Sequence, residues 1–547
     1  MLTAFLPFVA LIALLVGQSL ALVQHPFSET IFQDEEYHLR RPVRRVAIIG
    51  AGPSGLVTYR ELAQAGFEVR LFERDGVPGG NWHYTEETAA DAPVPNAHIP
   101  IGDYVPSLPP KYAILPYSEI HQNAEWMRID HRGPKPVWDT LTSNAPAPLQ
   151  QVPELPWPEG TPWKLTQYQL RNYVRAFASF HGVNSNDDNP AASYNTRVEL
   201  VEKLVNADGE EEGWRLWLKK LEVFRNGTSE ASWWTEDFDA VAIASGRYQA
   251  PFMPPIPGLA ELVKHFPDEI MHARQYRRPQ SLANKTVMVI GAATSGAEIS
   301  RDINRWAGKV YQSIKANTSG ETNSDDAINY ILRLPANTTK VPQIKQFLPL
   351  DGASSIRDAR VELINGTILT GIDHFILATG YRYSFPFLPQ YYDDDVSSSL
   401  APSIPPNSSS TTFLPLDGTH IRELYQDLFW IRDPTIAFLG INFGPGVQTF
   451  LFTDYLALAL AKVWSETAFL PNQDEMWRIH EERVHAQGGH GHGLHLIESS
   501  RFKQDIRYFV GWLNDAAVRY GGKQIEGLPK YYEEVKSYFL KAISGGH

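Results

Sequence analysis

The chain has 547 residues, 43% of them hydrophobic and 20% charged, which is the composition of a globular protein with several domains rather than of a disordered chain. Its formal net charge of −13 argues against a nucleic-acid partner, because such partners favour basic surfaces. The chain contains no cysteine, and this excludes disulfides, thiolate nucleophiles, redox-active cysteine pairs and zinc–thiolate sites.

An apolar stretch opens the chain, from Leu2 to Val16, and the small residues of Ser19-Leu20-Ala21 follow it. This arrangement predicts that residues 1–21 are a secretory signal peptide. The run from Leu2 to Val23 is also long enough to be an uncleaved membrane anchor, and both alternatives stay open. In either case we expect the chain to enter the secretory route and to be found in the ER lumen, secreted, or N-terminally membrane-anchored.

Asn-x-Ser/Thr sequons agree with passage through the secretory route, since they are acceptors for N-linked glycans. One of them, Asn284, precedes a predicted strand directly, so we expect a glycan to be crowded there. The sequons lie at Asn226, Asn284, Asn317, Asn337, Asn365 and Asn407.

The first nucleotide-binding pattern follows the apolar run Val46–Ile49, which predicts a buried strand. A glycine-rich turn, Gly50 to Gly55, separates this strand from a helical stretch that reaches Gln64, and a second strand ends at Glu73. A carboxylate there would accept hydrogen bonds from a ribose diol and repel a 2′-phosphate. The unit therefore predicts a site for FAD or NAD(H), with an ordinary strand–helix turn as the alternative. The residues predicted to form it are Gly50, Gly52, Pro53, Ser54, Gly55 and Glu73.

The middle of the chain predicts a mixture of loops and regular elements. Residues 91–163 are rich in proline, which predicts a loop-rich excursion with few helices. The elements expected after it are a helix at Tyr168–His181, a hairpin of Arg197–Val205 and Trp214–Phe224, and a buried strand within Phe238–Gly246.

The second nucleotide-binding pattern follows the apolar run Val287–Ile290. Its glycine turn runs from Gly291 to Gly296, and the next strand ends with Ser313 and Lys315 instead of an acid. A hydroxyl and an ammonium group would hold a 2′-phosphate, so this unit predicts an NADP(H) site. The residues predicted to form it are Gly291, Thr294, Ser295, Gly296, Ser313 and Lys315. Two such units argue for two dinucleotides in one enzyme.

An internal echo predicts how the domains are arranged, because Asp373–Gly380 nearly repeats the pattern of Phe238–Gly246. We expect an α/β protein with two dinucleotide-binding, Rossmann-like domains, one inserted in the other. The expected divisions are the first part of the FAD-binding domain at 42–250, the NADP-binding domain at 251–384, and the second part of the FAD domain with C-terminal helices at 385–547.

Two late segments carry separate predictions. Residues 393–412 are rich in Asp, Ser and Pro and predict a mobile surface loop, whereas the chain from Phe502 onward is amphipathic and predicts helix. The walls of a substrate pocket are expected from 91–163 and from the late turn Asn442–Thr449. A Gly/His-rich tract fits no metal-ligand spacing, so we predict a flexible loop and no metal site; its histidines are His485, His490, His492 and His495.

Together these motifs resemble the flavin-containing monooxygenases, the class B flavoprotein monooxygenases, and in particular their fungal-type members. The resemblance runs from about Arg44 to Trp464. It rests on the first glycine turn with Glu73 and on four further elements. Those are Gly79-Gly80-Asn81-Trp82 for the family's GGxW, Phe266–Tyr276 for its FxGxxxHxxx(Y/F), Ala378-Thr379-Gly380-Tyr381 for its ATGY, and Leu141–Asn144 for the stretch with its active-site asparagine.

The resemblance implies FAD and NADPH as cofactors and O2 and a small nucleophilic molecule as substrates. In such enzymes NADPH reduces the flavin, and oxygen then forms a C4a-hydroperoxyflavin that oxygenates a nitrogen or sulfur atom. Two alternatives remain: Baeyer–Villiger oxygenation of a ketone, and a flavoprotein that oxidises NADPH without oxygenating anything.

The resemblance also implies roles for individual residues. Asn144 would be catalytic through its amide, and its alternative is a turn asparagine. Arg274 would add a phosphate contact, with a surface ion pair as the alternative, and His272 would brace the linker between the domains. The other residues implied at the cofactors are Gly80, Trp82, Thr379 and Gly380.

Departures from the family pattern concern cofactor affinity and one side chain. Ala293 replaces the middle glycine of the second turn, Lys315 stands where an arginine is usual, and Asp268 replaces a glycine. A methyl group at 293 narrows the approach of a pyrophosphate, and lysine lacks the bidentate geometry of arginine. In the late helix, Asp454-Tyr455-Leu456 stands for the family's Glu-x-Gln, so that glutamine is missing.

Overall fold

The computed structural model describes residues 36–315, 334–393, 412–444 and 449–543. The predicted signal peptide or anchor at 1–21, the sequons Asn317 and Asn407, and the interior of the predicted loop at 393–412 lie outside the described residues. No helix within the described ranges is long and apolar enough to cross a bilayer.

The first nucleotide-binding unit is a seven-stranded sheet that the chain enters twice. Five neighbouring strands are parallel, and two short antiparallel strands form one edge of the sheet. Across the sheet the order is Leu424–Tyr425, Phe429–Trp430, Ile436–Phe438, Ala240–Ile243, Arg45–Ile49, Glu68–Phe72 and Ala192–Ser193. The strand before the first glycine turn therefore lies in the middle of the sheet, buried on both faces.

The second unit is a five-stranded sheet in which every pairing is parallel. Its order is Ile270–His272, His374–Leu377, Thr286–Ile290, Lys309–Ile314 and Thr339–Pro342. All five strands come from the part of the chain between the two passages through the first sheet. The predicted fold class, two Rossmann-like units with the second inserted in the first, is confirmed.

The internal echo in the sequence has a structural cause. In the first sheet, Ala240–Ile243 pairs in parallel with the strand that precedes the first glycine turn. In the second sheet, His374–Leu377 pairs in the same way with the strand that precedes the second turn. Both strands are buried on two faces, which explains why each is an unbroken apolar run ending near a glycine.

An antiparallel sheet covers the first unit and contains the predicted hairpin. Its strands, in spatial order, are Tyr117–His121, Ser229–Phe238, Glu211–Val223 and Thr196–Val205. The outer strand Tyr117–His121 and a helix at Ala124–Arg132 both lie within 91–163, so the prediction of a loop-rich excursion with few helices was incomplete. Smaller strands form pairs or a three-stranded sheet: Glu36–Tyr37, Thr142–Pro146, Lys164–Thr166, Ala250–Pro251, Ile344–Phe347, Val361–Leu363, Ile368–Leu369, Tyr381–Arg382 and Leu470–Pro471.

The α-helices of the described residues match the predicted positions where the sequence had a clear period. The helix expected at 168–181 begins one residue earlier, at a Thr166/Gln169 capping box, and the C-terminal helical region divides into two helices. In chain order the helices are α1 Pro53–Gln64, α2 Ala124–Arg132, α3 Gln167–Phe180, α4 Leu259–His265, α5 Thr294–Ile303, α6 Thr449–Trp464, α7 Gln473–Ala486, α8 Ser499–Tyr520 and α9 Tyr532–Ile543.

The two chain crossings between the large sheets lie side by side. Ala250–Pro251 leaves the first unit and pairs antiparallel with Tyr381–Arg382, which returns to it. Next to this pair, the Phe252 amide donates to the Gly380 carbonyl at 2.9 Å. His272 closes the same junction, since its Nε2 donates to the Gly380 carbonyl at 3.1 Å and its Nδ1 accepts from the Arg274 amide at 3.2 Å.

Candidate cofactor-binding and active site

One cleft of about 1470 Å³ receives both glycine turns. The cleft lies where the carboxyl ends of parallel strands open, which is where ligands bind in open α/β sheets. Most of the residues predicted from sequence line it together: Gly50, Gly52, Pro53, Ser54, Glu73, Gly80, Trp82, Asn144, Gly291, Thr294, Ser295, Ser313, Lys315, Thr379 and Gly380.

The first glycine turn brings helix α1 close to the strand before it. Gly50 has φ +106°, and a Cβ at Gly55 would stand 1.8 Å from the Gly50 carbonyl oxygen, so this approach requires glycine. Gly52 caps the helix without a side-chain hydrogen bond, and Pro53 occupies its first turn. The remaining amides of that turn are available to an anion such as a pyrophosphate.

The second glycine turn repeats this geometry. Gly291 has φ +104°, and a Cβ at Gly296 would stand 2.0 Å from the Gly291 carbonyl oxygen. Gly55 and Gly296 do not line the cleft. Each packs against the first glycine of its own turn and allows the helix to approach the preceding strand closely. Ala293 is an exposed N-cap with φ −79° and ψ −165°, an extended backbone that any residue can adopt, so the missing glycine leaves the turn unchanged.

The acid at the end of the first βαβ unit is held in place by backbone amides. Glu73 is 5% exposed, and its carboxylate accepts hydrogen bonds from Ala51 N at 2.8 Å and Asp75 N at 2.9 Å. A carboxylate has about four lone-pair sites, so acceptors remain for a ribose on the cleft side.

In the second unit, Lys315 lies one residue beyond the position that corresponds to Glu73 in the first unit. Gly50 N bonds the carbonyl of Phe72, and Gly291 N bonds that of Ser313, so the position equivalent to Glu73 is Ile314. Ser313 is buried and donates to the Pro342 carbonyl at 3.2 Å, whereas Lys315 is exposed on the cleft wall. Among the described residues, no carboxylate lies within salt-bridge distance of Lys315.

Asn144 belongs to the strand Thr142–Pro146, not to a turn, and the alternative interpretation as a turn asparagine is wrong. Its neighbours Ser143 and Ala145 are buried while Asn144 is exposed on the cleft wall. The strand alternation therefore turns its amide towards the cleft. The catalytic role of Asn144 stays a prediction.

Arg274 is not among the residues that line the cleft. Its guanidinium donates to the carbonyls of Gln249 at 3.1 Å, Ala90 at 2.6 Å and Asp91 at 3.4 Å. Among the described residues it has no carboxylate partner, so the surface ion pair considered as its alternative is absent, and the phosphate contact stays a prediction. The sequence could not show these three hydrogen bonds, because the carbonyls belong to segments distant from Arg274 in the chain.

His272 is neutral at physiological pH and serves the junction between the sheets. Burial, followed by the charge of Arg274, lowers its pKa to about 3. A neutral ring can donate from Nε2 to Gly380 and accept at Nδ1 from Arg274, which are the two bonds it makes. The expectation that His272 braces the linker agrees with this geometry.

The Gly/His-rich tract is packed only in part: His485 lies in helix α7, His490 and His492 are exposed, and His495 is buried. Its prediction as a flexible loop stays a prediction for the residues after α7. His495 is 1% exposed, accepts from Ile421 N at 3.0 Å and donates to Asp427 at 3.1 Å. His490 stacks on His420 with ring centroids 5.1 Å apart. Among the described residues, no group of three His, Asp or Glu side chains is arranged to hold a metal ion.

Asp454, which stands where the family has glutamate, is engaged in a buried ion cluster. It pairs with Arg60, a residue of α1 that is 5% exposed and also contacts Glu61 at 2.7 Å and Glu154 at 2.6 Å. This departure therefore joins α6 to α1 beneath the cleft.

Three residues of the cleft have a buried polar atom without a hydrogen-bond partner. Within the described part of the chain, no group hydrogen-bonds Gln150 Oε1, Ser245 Oγ or Asn442 Oδ1, and all three residues line the cleft. Leaving such an atom unpaired costs about 1–3 kcal/mol. The residues that fit bound dinucleotides are the two glycine turns together with Glu73 and Lys315.

Several cleft residues were missed from sequence because their setting depends on distant partners. Arg74 pairs with Asp103 at 3.1 Å, and Arg197 with Glu199 at 2.8 Å. Arg247 follows the predicted strand at 238–246 directly. The rule that such strands end at the cleft could have identified it.

An acid-tipped and a cation-tipped glycine turn on one cleft define an enzyme that binds two dinucleotides. A family model described as "Pyridine nucleotide-disulphide oxidoreductase" matches residues 44–384. Since the chain has no cysteine, the match reflects the nucleotide-binding fold and not disulfide chemistry.

Comparisons with individual proteins narrow the class. The chain is 46% identical over 520 residues to the flavin-containing monooxygenase iboF of Amanita muscaria, covering 92% of this chain and 95% of that protein. It is 30% identical to the flavin-containing monooxygenase ustF2 of Aspergillus flavus, covering 89% of this chain and 96% of that protein. The chain belongs to the flavin-containing monooxygenase family and is an FAD-dependent monooxygenase.

A solved structure shares the fold. The S-allyl-L-cysteine S-oxygenase from Allium sativum superposes with a TM-score of 0.63 over 92% of both chains, at 22% sequence identity. This likeness extends the agreement in fold to nearly the whole chain.

Proposed function

We propose that the chain uses NADPH and O2 to oxygenate a nitrogen or sulfur atom of a small molecule, through the C4a-hydroperoxyflavin implied by the resemblance. The observation that carries the proposal is that both glycine turns open on one cleft of about 1470 Å³. A shared cleft allows a nicotinamide to meet a flavin directly.

The two dinucleotides are assigned by charge. FAD lies at the first turn, where the α1 amides hold its pyrophosphate and Glu73 accepts from its ribose. NADPH would lie at the second turn, where the ammonium group of the exposed Lys315 would hold its 2′-phosphate, whereas the hydroxyl of the buried Ser313 is engaged with the Pro342 carbonyl. The bound flavin supplies the redox and oxygen-activating chemistry.

The protein's own part is orientation and the exclusion of water. Apolar and aromatic side chains line the cleft beside the polar ones, among them Trp138, Phe387, Leu439 and Phe452. A dry wall protects a reactive oxygen species from solvent. Asn144 provides an amide hydrogen bond on the same wall.

Product analysis on the purified full-length chain tests the proposal. We expect a yellow protein that retains FAD, oxidises NADPH faster than NADH, and converts methyl phenyl sulfide to its sulfoxide in proportion to the NADPH used. Cyclohexanone conversion to a lactone would favour the Baeyer–Villiger alternative. Hydrogen peroxide in place of product, with each of a panel of amines and sulfides, would favour the NADPH oxidase and refute the proposal.

We also propose that the chain matures in the secretory route. The four described sequon asparagines, Asn226, Asn284, Asn337 and Asn365, are all exposed. Asn284 has φ +61° and an exposed side chain, so the crowding expected there is absent. Expression of the full chain in a fungal host should give a protein whose mass falls on N-glycosidase treatment. A variant with all six sequon asparagines changed to Gln should not shift, and an unglycosylated cytosolic wild type would contradict the proposal.

A further inference from the structure

Arg247 presents an unpaired guanidinium at the cleft wall. It follows the strand Ala240–Ile243, and it lies between two aromatic rings, 4.1 Å from the Tyr248 centroid and 4.7 Å from that of Phe443. Its Nη2 donates to the Tyr248 hydroxyl. The stacking fixes the plane of the guanidinium and leaves other N–H groups for a ligand.

The other arginines of the cleft differ from Arg247 in one respect. Arg74 and Arg197 also line it, but each has a carboxylate partner, Asp103 for the first and Glu199 for the second. Across the described ranges, no carboxylate lies within 4 Å of the Arg247 guanidinium. A half-buried cation without a counter-ion is a natural position for an anionic group of a ligand.

A hydrogen-bond acceptor, Asn442, lines the same cleft and is adjacent in sequence to the ring that stacks on this cation. The strand that ends before Asn442 is the parallel neighbour of the strand that ends before Arg247, and Asn442 precedes Phe443, which stacks on Arg247. Asn442 is 8% exposed, and its Nδ2 donates to Asp427 at 2.8 Å. Its Oδ1 has no partner among the described residues.

Asp427 fixes the orientation of that amide. Although burial alone would raise its pKa, Arg483 and Arg501 hold the pKa of Asp427 well below its usual range. Asp427 is therefore an anion that accepts hydrogen bonds from Arg501 at 2.6 Å, His495 at 3.1 Å and Asn442. A carboxylate can bond only the NH2 side of an amide, so the oxygen of Asn442 is left without a partner among the described residues, at a residue that lines the cleft.

We propose that the part of the cleft formed by Arg247 and Asn442 binds a substrate carrying a carboxylate and a neighbouring N–H donor, as an α-amino acid derivative does. The carboxylate pairs with Arg247, and the amino group donates to Asn442 Oδ1. This inference rests on the proposed function for the oxygenation step but assigns the substrate class independently of it.

Three thioethers that differ by one group at a time test the proposal. They are S-methyl-L-cysteine, 3-(methylthio)propionate, which lacks the amino group, and 3-(methylthio)propanamide, which lacks the negative charge as well. Calorimetric titration of the FAD-loaded enzyme with each probe reports binding whether or not the probe is oxygenated. We expect each missing group to weaken binding, the charge by about tenfold to a hundredfold and the amino group by several-fold.

Variants separate the two contacts. Arg247→Met should abolish the preference for the propionate over the propanamide, and Arg247→Lys should restore part of it, because lysine keeps the charge but not the planar fork. Asn442→Leu should abolish the preference for S-methyl-L-cysteine over the propionate. Arg360→Met is the control, since Arg360 is exposed and pairs with Asp351 outside the cleft.

Two results would overturn the inference: a propanamide that binds the wild type as well as the propionate, or an Arg247→Met variant that weakens both probes equally. Absence of carboxylate binding has the same meaning. If the carboxylates bind with the expected preference and none is oxygenated, the proposed function fails while the binding site stands.

Discussion

Replacing Gly55 by alanine is expected to push helix α1 away from the strand that precedes it. The new Cβ would stand 1.8 Å from the Gly50 carbonyl oxygen, against the ~3.5 Å of an ordinary contact. The obstacle is backbone rather than a flexible side chain, so α1 must move away from the strand Arg45–Ile49. Overpacking of this kind costs about 1–3 kcal/mol or more, and the short distance puts Gly55→Ala at the upper end.

The second turn provides an internal comparison. In Gly296→Ala the Cβ would stand 2.0 Å from the Gly291 carbonyl oxygen, so α5 must move in the same way. If the turns hold different dinucleotides, Gly55→Ala should lose FAD on purification. Gly296→Ala should retain FAD but show a much higher KM for NADPH.

Flavin absorbance, NADPH kinetics and thermal unfolding measure these effects. With ~2–4 °C lost per kcal/mol for a domain of this size, each variant should melt roughly 6–12 °C below wild type. Gly493→Ala is the matched control, because a Cβ there would meet nothing within 4 Å. A Gly55→Ala protein with full flavin and unchanged melting, or a Gly296→Ala protein that loses flavin, would refute the assignment of the turns.

Three further predictions concern single side chains. Lys315→Ala should raise the KM for NADPH about tenfold and leave the KM for NADH unchanged, because the lost contact is to the 2′-phosphate. Lys309→Ala, at the other end of the same strand, is the control. An equal effect of Lys315→Ala on both nucleotides would contradict this prediction. Asn144→Ala should divert NADPH equivalents from product to hydrogen peroxide, as measured by coupling ratio, and an unchanged ratio would remove Asn144 from the mechanism. Burial lowers the pKa of His374 to about 4, and neither ring nitrogen has a partner in the described chain. The unfolded chain therefore binds a proton at this histidine more readily than the folded chain does. The free energy of unfolding falls as the pH drops below ~6.5, by about 1 kcal/mol at pH 5.5. Denaturant unfolding of His374→Leu should show a smaller loss between pH 7.5 and 5.5 than wild type, and an identical loss would contradict this account.

Local sequence was sufficient for the two nucleotide-binding units. A buried parallel strand is an apolar run, and the glycine at its end has a steric requirement that few other motifs share. The positions of Gly50, Gly55, Gly291 and Gly296 followed from these facts, and the turns at both sites have the expected geometry.

The remainder of the site depends on contacts between distant segments. The stacking of Arg247 requires Phe443, and the orientation of Asn442 requires Asp427, which the sequence does not place near each other. The burial of His495 could not be predicted for the same reason, because its partners Asp427 and Ile421 are distant in sequence. The strand Tyr117–His121 was missed among prolines because its partner lies more than a hundred residues later.

The paired crossings at Ala250–Pro251 and Tyr381–Arg382 govern how the inserted unit can move. A domain joined by one chain connection can rotate freely about it. Two adjacent connections that are hydrogen-bonded to each other resist twisting, so bending is the easier motion. We therefore expect the inserted unit, which contains the second glycine turn, to bend relative to the first unit more readily than it twists against it.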